Sequence, residues 1–377
     1  MKFNAAIWAL ALGAFGIGVT EFAPMGLLPA IAADLDVSIP SAGLLISAYA
    51  AGVMLGAPLM TLTTNRVPRR TLLVCLMLVF TVGNLLSALS VGYGMLMTAR
   101  IVTSLCHGAF FGVGAVVAAG LVPDGRRAAA VAAMFMGLTA ATIVGVPLAT
   151  FGGDVVGWRA AFWGMTILGL AAMVALRLTL PVIPASTGQK LMDELRVLRR
   201  KPVLAALTLT VVSSTAWFTV FTYITPILQT ETGLSIAHVT AMLVIFGAGT
   251  TIGNWLGGKY ADRSVGKTLK VTLACMSILL TGFALAMPYA WVSGVLIFFW
   301  GMTSFAIVAP LQMRVMSAAT DAPSLSSAIN IGAFNLGNAL GALIGGAVIS
   351  AGLGLPAVAI SGAVLAALGL ALAMLWD

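Results

Sequence analysis

The chain has 377 residues, of which 60% are hydrophobic and only 8% are charged. Soluble domains carry about 25% charged residues, so this composition excludes a water-soluble enzyme, a nucleic-acid-binding protein and a disordered chain. The net charge is +8, and in a membrane protein such charges report first on topology. The apolar runs are continuous rather than alternating, which predicts helices and not the strands of a lipid-facing barrel.

Continuous apolar runs, each long enough to cross a bilayer, follow one another along the whole chain; a span requires about 20 residues. In chain order they cover residues 5–32, 41–62, 71–90, 93–121, 128–152, 158–180, 203–229, 236–258, 268–287, 291–316, 324–350 and 355–376. The first run is too long for the apolar core of a signal peptide, about 7–15 residues. The sequence therefore predicts an all-α integral membrane protein with twelve transmembrane helices.

The longest polar segment, residues 181–201, lies midway, with six apolar runs before it and six after it. We predict an N-terminal six-helix bundle at 1–180, a cytoplasmic linker at 181–201 and a pseudo-symmetric C-terminal six-helix bundle at 202–377. From Lys190 the linker can form a short amphipathic helix on the membrane surface. Repeated halves of this kind are typical of transporters that open a central site alternately to the two sides of a membrane.

The basic residues are distributed unequally between the two sides of the membrane. If the N-terminus is cytoplasmic, nearly all of them fall in inner loops, whereas Arg159 lies in an outer loop and Arg100 within a span. Basic loops face the cytoplasm in membrane proteins. We therefore predict a multi-pass protein of the cell (inner) membrane with both termini in the cytoplasm.

Two inner loops at matching places in the two halves share a pattern of charged and small residues. The first follows the second run, and the other follows the eighth run. The polar residues of this pattern are Asn65, Arg66, Arg69 and Arg70 in the first half and Asp262 and Arg263 in the second. The repetition supports two related six-helix halves.

Ionisable residues inside a membrane are costly and are usually functional. At 1.5 Å per residue, Glu21 lies about 24 Å into the first run and Arg100 about 12 Å into the fourth run, which enters from the other side. An ion pair across the two helices is therefore geometrically feasible. Desolvation favours the neutral carboxyl and a nearby arginine favours the carboxylate, so a changed contact makes Glu21 exchange a proton. The alternatives are a fixed ion pair that locks two helices, or an arginine that anchors a backbone carbonyl.

His107 follows Arg100 by seven residues, with Ser104 between them, so the three side chains share one helix face. We expect this polar stripe to face a water-filled cavity. Histidine titrates near neutrality, so His107 can relay protons together with Glu21 and Arg100. The alternative is a neutral histidine that forms a hydrogen bond to a neighbouring helix.

The seventh run carries Ser213, Trp217 and Phe221 at a spacing of four residues, which predicts either plain packing or a lining for amphipathic and aromatic substrates. Polar or adaptable residues in other runs extend this candidate lining. The full set of predicted substrate-binding residues is Glu21, Met25, Arg100, Ser104, His107, Ser213, Trp217, Phe221, Tyr223, Thr303, Gln312 and Asn330.

Small residues mark two close helix contacts. Gly337, Gly341 and Gly345 recur every four residues in the eleventh run, which predicts a seam for close helix packing. In the fifth run, Gly145 and Pro147 predict a kink.

The sequence contains no pattern typical of a catalytic site. There is no nucleophile with a base, no phosphate-cradling glycine loop and no metal cluster. We therefore predict no enzyme activity, no cofactor and no metal, with the proton gradient as the energy source. The expected partners are a small-molecule substrate, protons and the lipid bilayer, without nucleic acid, and we expect a monomer.

Over its full length the chain resembles the major facilitator superfamily, and within it the 12-span drug:proton antiporters, such as arabinose-efflux-type permeases and chloramphenicol exporters. The resemblance rests on the loop patterns at 65–70 and 258–266, the buried Arg100, residues 20–22 of the first run and residues 137–153 of the fifth run. The first loop departs from the family signature at positions 65 and 68, and residue 146 interrupts the usual Gly-Pro of the fifth span.

The resemblance implies that spans one, four, seven and ten line a central cavity. Glu21, Arg100, His107, Trp217 and Phe221 would then lie on that cavity, and the two loop patterns would latch the cytoplasmic side in an outward-open state. It implies proton-coupled efflux of small organic molecules by alternating access. Two alternatives stay open: a facilitator or proton symporter for a sugar or nucleoside, and a membrane receptor or scaffold that does not transport.

Overall fold

The structure is a computed structural model that describes residues 5–64, 66–123, 127–183, 200–319 and 323–376. Its regular elements are helices: α1 (Ala5–Asp34), α2 (Ile39–Thr63), α3 (Arg69–Ala88), α4 (Tyr93–Gly120), α5 (Arg127–Ala140), a π-helical turn (Ala141–Gly145), α6 (Val146–Val156), α7 (Trp158–Thr179), α8 (Lys201–Phe221), α9 (Ile224–Thr230), α10 (Ile236–Ala261), α11 (Val265–Ala286), α12 (Ala290–Ala306), α13 (Val308–Ala318), α14 (Pro323–Ser350) and α15 (Leu355–Leu375).

Within the described residues these elements make 12 spans that are long and apolar enough to cross a membrane. Three spans are interrupted: α5 and α6 are joined by the π-helical turn, α8 is followed by α9, and α12 is followed by α13. The predicted fold class is confirmed. Transmembrane helices are stable in lipid because each helix satisfies its own backbone hydrogen bonds. The apolar side chains around most of each helix then face the bilayer or the neighbouring helices.

The helices of the first half pack in a pattern that the second half repeats. In the first half α1 packs on α5, α6 and α7, α2 packs on α4, and α3 packs between α4 and α7. In the second half α8 packs on α14 and α15, α10 packs on α12, and α11 packs between α12 and α15. Each helix thus has a counterpart six spans later.

Contacts between the halves concentrate towards one end of the molecule. There α1 packs on α9, and α10 packs on the π-helical turn and α6, while α2 and α14 run along each other. One apolar cluster crosses the boundary and joins Phe22 and Leu28 of α1 to Trp217 and Ile227 of the seventh span. The other apolar clusters each belong to one half. The halves are therefore closed against each other at the end where α1 stops.

Glycines allow the closest helix contacts. Gly337, Gly341 and Gly345 of α14 face α8 so closely that a methyl group on any of them would overlap with the backbone or side chains of α8 and Tyr223. In the fifth span Gly145 ends the π-helical turn and faces Val19 of α1, and Pro147 lies in the first turn of α6. A π-helical turn before a proline is a common cause of a helix kink.

Some predictions concern residues outside the described part of the chain. The amphipathic helix predicted from Lys190 falls within residues 184–199, and Asn65 of the first loop pattern also lies outside the described residues. The division of the chain at 181–201 stays a prediction.

Candidate functional site

A proline inside α1 shapes the candidate site. Pro24 has no amide hydrogen, so the carbonyl four residues earlier lacks its helical hydrogen-bond partner. That carbonyl belongs to Thr20, and Nη1 of Arg100 in α4 donates a hydrogen bond to it at 2.9 Å. The sequence of α1 thus creates a buried acceptor directly before Glu21, and the guanidinium of α4 satisfies it.

Arg100 is only 1% exposed, and its charge is stabilised without a carboxylate in contact. Its guanidinium carbon lies 4.1 Å from the centre of the Tyr49 ring, a cation–π contact. Among the described residues no salt bridge joins Glu21 to Arg100, so the acid–arginine pair considered from the sequence is not formed. The backbone-carbonyl anchor, its alternative, is present. The Nε and Nη2 donors of Arg100 have no hydrogen-bond partner in the described part of the chain.

Glu21 instead faces His107. Its Oε2 atom lies 3.9 Å from Nε2 of His107, and Glu21 is only 8% exposed. This distance is too long for a direct hydrogen bond. A buried carboxyl and an imidazole in this arrangement can share a proton.

Tyr49 of α2 fixes the other side of the imidazole. Its hydroxyl lies 3.1 Å from Nδ1 of His107. If the hydroxyl donates to Nδ1, the neutral imidazole carries its hydrogen on Nε2, which is the atom that faces Glu21. The ring of Phe111 packs 5.2 Å from the imidazole, centre to centre. The tyrosine of α2 therefore orients the histidine of α4 towards the acid of α1.

Thr20, Pro24 and Tyr49 are parts of this site that were not predicted from the sequence. The sequence could have indicated Tyr49, because it is the only tyrosine in the second apolar run and lies near its middle. The sequence could also have indicated Pro24, because a proline inside a helix leaves the carbonyl four residues earlier without its hydrogen-bond partner. We define the proton-site group as Glu21, Tyr49, Arg100 and His107.

An aromatic cluster lies beside this group and crosses the boundary between the halves. The Phe22 ring lies 6.4 Å from Trp217 and 6.0 Å from Phe221, and these two rings lie 5.6 Å apart. Phe22 follows Glu21 directly in α1, so the acid and a ring of the aromatic cluster belong to consecutive residues. Met25, one turn further along α1, is buried in the same cluster.

The second half extends the aromatic cluster. Phe246 of α10 stacks on Phe221 at 4.5 Å, Trp300 of α12 lies 5.0 Å from Phe246, and Phe305 lies 6.0 Å from Trp217. Nε1 of Trp300 is buried without a hydrogen-bond partner among the described residues. Trp217 and Phe221 were predicted from the sequence. The rings contributed by other spans were not, because helix periodicity does not identify the neighbouring helices.

Several predicted lining residues lie elsewhere. Ser104 is buried, donates to the carbonyl of Ile101 and packs against Gly52 of α2, so the expected water-facing stripe is wrong at this position. Ser213 points to Gly369 of α15, away from the aromatic cluster. Arg100 and His107 are buried as well, and their stripe faces α1 and α2 instead of a water-filled cavity.

Tyr223 holds a packing position instead of lining the site. Its hydroxyl donates to the carbonyl of Ala342 at 2.8 Å, and its ring lies against Gly345 of α14 and Gly43 of α2. It therefore wedges between the halves at their closed end.

Gln312 and Asn330 form a separate hydrogen-bond chain between three spans of the second half. Thr210 donates to Oδ1 of Asn330 at 2.7 Å, Nδ2 of Asn330 donates to Oε1 of Gln312 at 2.7 Å, and Nε2 of Gln312 donates to Ser327 at 2.6 Å. These hydrogen bonds satisfy the amide of Asn330, which is fully buried. Thr303 donates to the carbonyl of Trp300 and lines a groove on another face of the second half. These three residues do not line the aromatic cluster.

The contacts given for the two predicted latch loops stay within their own halves of the molecule. Arg70 donates to the carbonyl of Arg177, and the backbone amide of Arg69 donates to the carbonyl of Ile183 at 3.0 Å. In the second half, Arg263 lies 5.7 Å from the Tyr260 ring. Arg66 and Asp262 are exposed. The latch role of these residues stays a prediction.

Three comparisons place the chain among known proteins. The family model described as Major Facilitator Superfamily matches residues 10–331. The chain is 54% identical over 372 residues to the inner membrane transport protein YdhP of Escherichia coli strain K12, covering 99% of this chain and 96% of that protein. It is 37% identical over 348 residues to the MFS-type transporter YtbD of Bacillus subtilis strain 168, covering 91% and 88% of the two chains.

Solved structures share the fold at low identity. The D-xylose-proton symporter matches with a TM-score of 0.77 at 16% identity, covering 96% of both chains. A bacterial homologue of the human lysosomal transporter Spinster, solved in an inward-facing and unoccupied conformation, matches with a TM-score of 0.76 at 14% identity, covering 98% and 96%.

Proposed function

Because the chain belongs to the major facilitator superfamily, a family of membrane transporters and not of enzymes, we propose that it is a proton-coupled exporter of small organic molecules. The observation that supports this proposal most directly is the buried Glu21 carboxyl, which faces His107 Nε2 at 3.9 Å and is followed by Phe22 of the aromatic cluster. A proton-binding group and a candidate substrate surface thus share one segment of α1.

The proton-site group supplies the chemistry that coupling requires. A charged carboxylate is costly in apolar surroundings, and protonation removes that cost. Glu21 therefore favours one arrangement of the helices when neutral and another when ionised. His107 receives or returns the proton, Tyr49 orients the imidazole, and Arg100 holds α4 to the backbone of α1 beside the acid.

The aromatic cluster supports substrates with apolar or aromatic groups. Aromatic rings give large contact area and tolerate varied partners through edge and face contacts. Because Phe22 belongs to α1 while Trp217 and Phe221 belong to α8, a molecule inserted between them would move the two halves relative to each other. Movement of Phe22 would shift its neighbour Glu21. Substrate binding would thereby be coupled to the binding or release of a proton by Glu21.

The membrane location and topology that we propose are those predicted from the sequence. The name of YdhP and the basic inner loops support an inner-membrane protein with both termini in the cytoplasm. In that orientation the closed end of the molecule faces outside, as expected for an inward-facing state. We propose a monomer that uses the proton gradient without a cofactor.

Proton flux in liposomes tests the proposal. Purified protein is reconstituted with an internal pH-sensitive dye, and chloramphenicol, pentoses and nucleosides are added one at a time to wild type, Glu21→Gln and the matched loop variant Glu231→Gln. Alkalinisation of the liposome lumen on substrate addition, present in wild type and Glu231→Gln and lost in Glu21→Gln, supports an antiporter, whereas acidification supports a symporter and overturns the proposal. Substrate movement with no proton signal, equal in all three, overturns it and favours a facilitator.

A further inference from the structure

A groove on the second half lies away from both the proton-site group and the aromatic cluster. It has a volume of about 370 Å³ and is formed by α10, α11 and α12. Its walls are mostly apolar and include Tyr260, Lys267, Val271, Thr272, Cys275 and Thr303. Val271 and Cys275 are exposed, so the groove opens on the outer surface of the helix bundle.

One end of the groove is basic. Lys267 lies in the first turn of α11 and lines the groove, and no described carboxylate forms a salt bridge with its side chain. Lys259 and Arg263 lie near this end, at the end of α10 and in the following loop, and they contact the rings of Trp255 and Tyr260. Tryptophan and tyrosine at a basic helix end are typical of the membrane–water interface.

The other end of the groove is apolar and deeper. Cys275 follows Lys267 by eight residues on the same helix, which is about 12 Å of helix. Half of the hydrocarbon core is about 15 Å thick. The groove therefore extends from the headgroup level into the acyl-chain region of one leaflet.

We propose that this groove is a binding site for an anionic phospholipid. The phosphate pairs with the Lys267 ammonium, and one acyl chain lies in the groove along Val271 and Cys275. Basic pockets between transmembrane helices favour anionic headgroups, and the long apolar channel favours an acyl chain over a free phosphate. A lipid here joins α10, α11 and α12 at the loop that carries Asp262 and Arg263.

The chain contains its own control for the experiment. Cys75 of α3 is exposed on the first half and Cys275 is exposed in the groove, whereas Cys106 is buried. The purified protein in detergent is treated with a lipophilic maleimide, and the labelling rate of each cysteine is measured by peptide mass spectrometry. The additions are phosphatidylglycerol, phosphatidylcholine with the same acyl chains, or glycerol phosphate.

We expect phosphatidylglycerol to slow labelling of Cys275 at least threefold while Cys75 is unaffected, and glycerol phosphate to have no effect. Lys267→Glu should abolish this protection, whereas the matched variant Lys270→Glu, on the same helix but outside the groove lining, should retain it. Lys267→Ala provides a second variant without charge reversal. Equal protection by both lipids, by glycerol phosphate, or in Lys267→Glu and Lys267→Ala overturns the proposal.

Discussion

Arg100 donates a hydrogen bond at 2.9 Å to the carbonyl of Thr20, the carbonyl that Pro24 leaves without a helical partner. The arginine is therefore held by the backbone of α1, one residue before the acid. This relationship keeps a positive charge close to Glu21 without a direct ion pair, and it leaves the carboxyl of Glu21 facing His107.

The carbonyl anchor predicts a specific double-mutant result. Arg100→Ala should destabilise the protein by about 1–3 kcal/mol, since it leaves a buried carbonyl without a donor. In a Pro24→Ala background the new amide hydrogen satisfies Thr20, so Arg100→Ala should cost less. Thermal unfolding in detergent measures all four proteins. Strictly additive effects would show that Arg100 and Pro24 are not coupled through this carbonyl.

Tyr49→Phe should separate the two roles of the tyrosine. The ring that lies against Arg100 is kept, but the hydroxyl that orients His107 is lost. We expect the free energy of unfolding to fall by about 1–3 kcal/mol, because the buried Nδ1 of His107 loses its hydrogen-bond partner, while the pH profile of proton-coupled transport shifts. Tyr49→Ala, which removes both contacts, should also lower stability. A Tyr49→Phe protein with an unchanged pH profile would contradict the proposed orientation of the imidazole.

The aromatic cluster predicts a graded loss of affinity. Each aromatic contact contributes about 0.5–1.5 kcal/mol beyond its buried area, so Trp217→Ala, which removes buried area as well, should weaken the binding of aromatic substrates by at least about 2- to 13-fold. Phe22→Leu, which keeps most of the apolar volume, should reduce the affinity for these substrates less than Phe22→Ala does. Equilibrium binding to purified protein measures the series. Unchanged affinity in Trp217→Ala would remove the cluster from the substrate site.

The contact between the π-helical turn and α10 predicts a cross-link that stops transport. The hydroxyl oxygens of Thr142 in the π-helical turn and Thr250 in α10 lie 3.4 Å apart across the two halves. Paired cysteines at these positions, with the native cysteines replaced by serine, should form a disulfide under mild oxidation.

Transport by that double-cysteine protein should fall to background when oxidised and recover on reduction, because alternating access requires the two halves to move relative to each other. Each single-cysteine protein serves as the control for oxidation. Full transport in the oxidised, cross-linked protein would show that the halves do not separate here.

Long apolar runs made the twelve spans predictable, because each needs only enough hydrophobic length to cross the bilayer. Glu21 and His107 were equally accessible from the sequence, since ionisable residues stand out in apolar surroundings. The partner of Arg100 could not be predicted, because two candidates lie one residue apart on α1: the carboxylate of Glu21 and the carbonyl of Thr20 that Pro24 leaves free. Only the rotation of the helix decides between them.

The substrate-lining predictions show the same limit. Periodicity correctly grouped Trp217 with Phe221, but it also placed Ser213 on that face, although Ser213 points to Gly369. Gln312 and Asn330 were selected as polar residues in apolar runs, and the structure pairs them with each other. Neighbours contributed by other helices decide whether a buried polar residue is satisfied by the protein or available to a ligand.

The central claim is that Glu21 exchanges a proton with its surroundings during transport. Infrared difference spectra of the protein in lipid, recorded as the pH is changed, detect the carbonyl stretch of a protonated carboxyl. We predict a titrating band in wild type and in the control Glu231→Gln that is missing in Glu21→Gln. A spectrum of Glu21→Gln that retains every titrating carboxyl band of the wild type would contradict the account.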